Sequence, residues 1–390
     1  MKTGTRKTLI RGGSHAEYAE TGHLVYAAAG TLRAVRFDLE RLDVLSDPIP
    51  VVDQVTMATT GEADFALSRH GTLVYVPGGL PTQSAAARAL VWVTRQGREE
   101  PIKAPARPYA AARISPDGTR VALDIRDQNN DIWIWDLTRQ TLTPLNLDPA
   151  VDLSPIWTPD GRRVIWTANR DGGNPNLFWQ AADGTGKAER LTTSPGAQFP
   201  TSISPDGTRV VFFEARTSND LGMFTFKDHS TEMLLRSSAD KFGGEISPDG
   251  RWLAYQSNES GQPQVYVRPF PAVDAGRTQI STEGGTRPAW AHNGRELFYL
   301  DANDLLTSVP VQIAGATFSA GRPTKILSAR YYAGATARGY DLRAYDVSRD
   351  GQRFLMIKDA APTGQVSAPG VSLVVVLNWF EELKARVPIK

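Results

Sequence analysis

Short apolar runs separated by turn residues fill most of the chain. One run ends at Ile114. It is followed by Ser115-Pro116-Asp117-Gly118 and then by an alternating run over 120–125 that carries Val121 and Leu123. After a polar stretch at 126–130, residues 131–137 read Asp-Ile-Trp-Ile-Trp-Asp-Leu, the β-branched and aromatic mixture that suits a pleated sheet. A short run at 141–145 closes the set. The pattern predicts four antiparallel strands. It returns with second and third strands at 164–166 and 177–179, 210–213 and 223–226, 253–255 and 265–267, and 297–299 and 306–311. A helical period of 3.6 emerges only over 378–386, which predicts one short terminal helix.

The punctuation between runs is as regular as the runs. Thr158-Pro159-Asp160-Gly161, Ser204-Pro205-Asp206-Gly207 and Ser247-Pro248-Asp249-Gly250 repeat the first turn. Ala291-His292-Asn293-Gly294 and Ser348-Arg349-Asp350-Gly351 are weaker copies. Proline presets φ, aspartate bonds its own backbone and glycine supplies φ > 0, so Asp117, Asp160, Asp206, Asp249 and Asp350 read as turn-formers rather than metal ligands. Two upstream copies are one residue shorter and lack the Pro-Asp pair: Leu67-Ser68-Arg69-His70-Gly71 and Tyr18-Ala19-Glu20-Thr21-Gly22. The closing glycines are Gly22, Gly71, Gly118, Gly161, Gly207, Gly250, Gly294 and Gly351, spaced by 43 to 57 residues. A period in the forties built of short strands is the signature of propeller blades.

The expected fold is therefore an all-β propeller of four-stranded antiparallel blades over 1–378, with 379–390 as a tail or short helix. Eight turns give eight blades. The last repeat shows strands at 345–347, 354–357 and 372–377 but no fourth, while Lys7-Thr8-Leu9-Ile10-Arg11 looks like an orphan fourth strand. That N-terminal strand would close the ring and protect its edges. The alternative is a six-bladed ring from about residue 105, with the first ~100 residues appended as part of another propeller.

Lys+Arg of 43 against Asp+Glu of 42 leaves no basic stripe for nucleic acid. The absence of cysteine removes disulfides, zinc–thiolate sites and thiol nucleophiles. No run reaches the ~18 apolar residues of a membrane span, and the basic N-terminus lacks the apolar core of a secretory signal.

The repeats resemble the TolB-like (WD-type) β-propeller repeat: Ser-Pro-Asp-Gly, a strand such as Trp252-Leu253-Ala254-Tyr255, an aromatic third strand such as Ile132-Trp133-Ile134-Trp135, and a Leu-Thr fourth. Val265-Tyr266-Val267-Arg268-Pro269-Phe270-Pro271 and Val374-Val375-Val376-Leu377-Asn378-Trp379 extend the resemblance to the propeller region that follows the kinase domain in some bacterial serine/threonine kinases. It implies an extracytoplasmic or periplasmic sensor or protein-interaction module. It leaves open that Met1 is an internal start downstream of an anchor and a kinase. Kinase signatures and the Gly-x-Ser-x-Gly nucleophile elbow are missing from the sequence.

The reading that results is a non-enzymatic scaffold or sensor that binds a protein or peptide and needs no cofactor. Two alternatives stand beside it: a hydrolase or lyase at the channel mouth, and a vestigial fragment of a propeller-bearing kinase. The histidines His15, His23, His70, His229 and His292 show no metal-ligand spacing and read as solvated turn residues. Most tryptophans read as packing between blades, while Trp157 and Trp290, on innermost strands next to the turn, could line the channel mouth. The candidate binding residues are in the loops between second and third strands, on the face opposite the turns: Arg126, Asp127, Arg170, Asp171, Arg216, Asn258 and Glu259. Variable polar loops on a rigid scaffold are where recognition usually sits.

Overall fold

The computed structural model describes residues 9–388 apart from 11–13, 29–30, 53–54, 56–62, 78–86, 128–129, 147, 149, 171–173, 335–342 and 361–372. The chain divides into two compact units: Ala85–Ala361, and Met1–Ser84 together with Pro362–Lys390.

In the larger unit, Tyr109–Ile114, Arg120–Ile125, Asp131–Asp136 and Thr141–Pro144 pair in chain order into an antiparallel sheet. The same order recurs in sheets that begin with Asp152–Trp157, Ala197–Ile203 and Lys241–Ile246. A fifth sheet begins with Thr286–Trp290 and carries an extra strand, Thr324–Lys325. The sixth is Asp346–Val347, Arg353–Asp359, Arg88–Thr94 and Glu99–Pro101. Each first strand touches the first strand of the next sheet, and Asp346–Val347 touches both Thr286–Trp290 and Tyr109–Ile114, so the six sheets close a ring. This is the expected all-β propeller architecture.

The closure differs from the expectation. Two strands from the start of the unit, not an N-terminal strand at 7–11, complete the last sheet. Arg88–Thr94 runs beside Arg353–Asp359 from Arg353↔Thr94 to Asp359↔Arg88, and buries Val91 and Val93 with Phe354 and Met356. Val374–Val376, expected as the third strand of that sheet, pairs instead with Leu73–Tyr75. The physical reason is ladder length: Arg88–Thr94 matches all seven residues of Arg353–Asp359, whereas Val374–Val376 offers three. Leu9 and Ile10 lie outside any strand, and Lys7, Thr8 and Arg11 lie outside the described residues.

The second strands also depart from the alternation read in the sequence. Val121 to Ile125 and all of Trp252–Ser257 are buried. Stacked sheets cover both faces of these strands, so their apolar runs are nearly continuous. Packing is close enough that a Cβ on Gly222 would sit 2.4 Å from Cζ of the buried Phe212.

The smaller unit holds one sheet of Ser14–Ala19, His23–Ala28, Thr31–Asp38 and Asp43–Val44, with Ile49–Val52 also on Thr31–Asp38. Its second sheet has three strands, Val374–Val376, Leu73–Tyr75 and Phe65–Leu67. The helix Trp379–Arg386 buries Trp379 and Leu383 among Val25, Leu32, Val51, Phe65 and Leu73. His23, expected in solvent, is buried here. Its Nε2 lies 2.7 Å from the Val387 carbonyl and its Nδ1 2.9 Å from Thr21 Oγ1. Burial lowers its pKa, so the neutral ring donates to Val387 and accepts from Thr21.

Candidate functional site: a funnel on the turn face of the ring

The Ser-Pro-Asp-Gly turns share one hydrogen-bond plan. In the first, Asp117 Oδ1 accepts from Ser115 Oγ (2.5 Å) and from the Thr119 N–H (3.0 Å), while Ser115 Oγ accepts from the Arg120 N–H (2.9 Å). Asp160, Asp206, Asp249 and Asp350 repeat it with Thr158, Ser204, Ser247 and Ser348. Hydroxyl donation holds Asp117, Asp160, Asp206 and Asp350 below the usual aspartate range. At Asp249 burial pulls upward, and the serine hydroxyl with the Arg251 N–H outweighs it to the same effect. In the fifth copy Ala291 removes the hydroxyl, and only the bond from the Arg295 N–H to Asn293 remains. These carboxylates are engaged by their own turns, one per sheet.

The turns surround the mouth of a funnel of about 460 Å³. Pro116, Pro159, Pro205 and Pro248 line four sectors of its rim. In the two weaker copies His292 and Arg349 occupy the proline position, so the rim is apolar in four sectors and basic in two. Below lie Ile114, Ile156, Ile203 and Ile246, with Trp157 and Trp290. Both indoles are buried and spend their N–H on the preceding inner strand: Trp157 Nε1 donates to the Arg113 carbonyl (2.8 Å) and Trp290 Nε1 to that of Glu245 (3.0 Å). They tie inner strands together and wall the funnel at once.

The floor is charged. Arg343 Nη2 lies 2.7 Å from Glu245 Oε1 and 3.5 Å from Asp346 Oδ1. Asp346 also accepts the N–H groups of Ile114 (2.8 Å) and Val347 (3.0 Å). Arg113 donates to the carbonyls of Ala112 (2.9 Å) and Arg343 (2.6 Å). Burial, and then repulsion from Arg343, draw the Arg113 guanidinium down to about 10. Burial pushes the Glu245 carboxyl up to about 7, against the pull of Arg343 and Arg113. The Nε atoms of Arg113 and Arg343 are buried without a hydrogen-bond partner. Glu245 is paired with Arg343, and Asp346 with Arg343 and two backbone N–H groups.

A repeated irregularity shapes the floor. The inner strands shift register between Tyr109 and Ala111, Leu153 and Ile156, Pro200 and Ser202, Phe242 and Glu245, and Thr286 and Ala289. Ser154, Gly243 and Arg287 take φ of 60°, 61° and 54° at three of these bulges. A bulge re-aims the side chains beyond it. These narrow the channel beneath the funnel to a void of about 20 Å³, which Pro155, Pro200 and Pro288 help to line. Proline is tolerated there because the inner strand is a sheet edge.

The loop residues proposed from the sequence are not brought together. Arg126 pairs with Asp124 (3.3 Å), Asp127 with Arg107, Arg170 with Asp148 and Asp152, Arg216 with Glu214, and Glu259 with Arg277. Asn258 Oδ1 accepts the Asp240 N–H at 2.8 Å. Asp171 lies outside the described residues. Each charge is met close to its own blade, which is how a staple at a blade edge behaves. Sequence reasoning passed over Arg113, Glu245 and Asp346. A signal was available, because all three stand two residues before the turn hydroxyl, where other repeats carry Ile156, Ser202 and Ala289. Arg343 follows a segment without repeat register and left no such trace. No group of three or more metal-binding side chains exists among the described residues, and no helix among them is long and apolar enough to cross a membrane.

Comparison with known proteins adds family context. Residues 87–242 match the family model of the TolB beta propeller domain. The chain is 24% identical over 191 residues to the uncharacterized peptidase YuxL of Bacillus subtilis, covering 37% of this chain and 29% of that protein. It is 24% identical over 212 residues to the Tol-Pal system protein TolB of Francisella tularensis, covering 53% of this chain and 46% of that protein. The chain thus spans less than half the length of these two curated relatives. A solved TolB-type structure from Agrobacterium tumefaciens superposes with a TM-score of 0.56 at 15% identity, covering 71% of this chain and 99% of the other, a likeness of fold.

Proposed function

This chain carries a TolB-like β-propeller, and we propose that the ring is a non-catalytic binding module whose ligand, a segment of another protein, enters the funnel on the turn face. One observation carries the reading: a funnel of about 460 Å³ whose isoleucine and tryptophan wall ends on a floor with two buried arginine Nε donors unspent. A concave, mostly apolar site with a few convergent polar groups is the usual form of a binding site. The floor donors and Arg349 on the rim favour a segment that pairs an apolar side chain with an acidic group.

The test is selection from a displayed peptide library against the intact chain, with two variants beside it. His292→Glu with Arg349→Glu places two negative charges at exposed rim positions without touching the core. It should weaken the selected peptides by about tenfold or more, since like charges facing each other across an interface cost several kcal/mol. Asn258→Ala with Glu259→Ala, on the opposite face, should leave binding unchanged. The reverse result would return the site to the loops between second and third strands.

A further inference from the structure

Every sheet of the ring has at least four strands, whereas the second sheet of the smaller unit has three. Its outermost strand, Val374–Val376, pairs with Leu73–Tyr75 along one edge, and no described strand pairs with the other. The segment is Leu373-Val374-Val375-Val376-Leu377. It has no charge, proline or glycine to blunt the edge, although the strand itself is only three residues long. Leu373, Val375 and Leu377 are 64%, 52% and 70% exposed, and their spacing puts all three on one face. Val374 and Val376 point the other way and are half-buried, Val376 against the core of the unit.

The sequence around Val375 reads the same in both directions. An antiparallel pair of identical strands is related by a twofold axis, and the interface must be self-complementary. With the axis at Val375, Leu373 of one copy stands opposite Leu377 of the other, and the two valines meet on the axis. Six apolar side chains then cover one another, the open hydrogen-bonding edges satisfy each other, and two three-stranded sheets join into one of six. We infer that the Val374–Val376 edge is a dimerisation strand that pairs antiparallel with the same strand of a second copy of this chain.

The chain contains no cysteine, so Val375→Cys introduces a lone thiol. Residues directly opposite in an antiparallel pair have Cα atoms about 4.5–5.5 Å apart, inside the range a disulfide spans. Mild oxidation of the full chain should convert most of this variant to a disulfide-linked dimer on a non-reducing gel, while Leu45→Cys, equally exposed just after the strand Asp43–Val44, should stay monomeric. By sedimentation the unmodified chain should be a dimer. Val375→Lys, which sets two like charges opposite each other, should weaken the dimer by about tenfold or more while the far-UV circular dichroism stays that of the folded chain. A monomer at tens of micromolar, a dimer indifferent to Val375→Lys, or a Val375→Cys variant whose thiol is shielded from maleimide within a monomer would each overturn the inference. The last would assign the edge to another strand of the same chain.

Discussion

The two units come from one repeat pattern and end differently. In the ring, the serine or threonine, proline and aspartate of four turns lock each hairpin, and the bond from the Ser115 N–H to the Arg120 carbonyl spans the full turn (2.8 Å). In the smaller unit the turn at Gly71 is one residue tighter, with the Ser68 N–H bonded to the Thr72 carbonyl (2.8 Å) and no aspartate to cap it. The consequence reaches the surface. Of the eight large apolar residues exposed among the described residues, Val151 alone belongs to the ring; Tyr18, Leu39, Leu42, Leu45, Leu373, Val375 and Leu377 lie in the smaller unit. A closed ring uses every sheet face on a neighbour, and a pair of sheets cannot. The difference teaches that closure, more than the quality of any one repeat, decides which apolar surface is left over.

The contrast can be broken most severely at the closing strand. Val93 is fully buried with Phe354 and Met356. Val93→Asp places an unpaired carboxylate there and should cost more than about 4 kcal/mol. Calorimetry should show the ring transition lost or strongly lowered while that of the smaller unit survives. A milder probe is Gly222→Ala. The added methyl meets the buried Phe212 at 2.4 Å, so it should cost about 1–3 kcal/mol, read as a lower urea midpoint for the ring alone.

The smallest effect is the one with pH. The five turn aspartates have folded pKa values below the ordinary range. Their stabilisation is present above the unfolded value of about 3.9 and is lost as pH falls through the lower folded values. The urea midpoint of the ring should therefore drop as pH falls below about 4. Replacing the five by asparagine should flatten that drop and lower the midpoint at neutral pH. A steeper drop in the variant would mean that other carboxylates govern acid unfolding.

The blade plan, the turns, the antiparallel order and the terminal helix were legible because each rests on local chemistry. Ser-Pro-Asp-Gly selects a turn, and β-branched and aromatic runs select strands. The strand over 88–94, Arg-Ala-Leu-Val-Trp-Val-Thr, is as clear a strand by composition, but local pattern carries no information about its partner. The site was less legible for a related reason. Arg113, Glu245, Arg343 and Asp346 come from three stretches of chain that only ring closure brings to one floor. The loops favoured by polarity proved to be self-neutralising.

The sequence by itself determined the repeat, the four-stranded sheet and the turn face, since these depend on residues within about ten positions of each other. The tertiary structure decided how many sheets close, which strand completes the last one, and where charge gathers in the funnel. Those depend on matching ladder lengths and on the common axis of six inner strands. Neither is encoded within a single repeat.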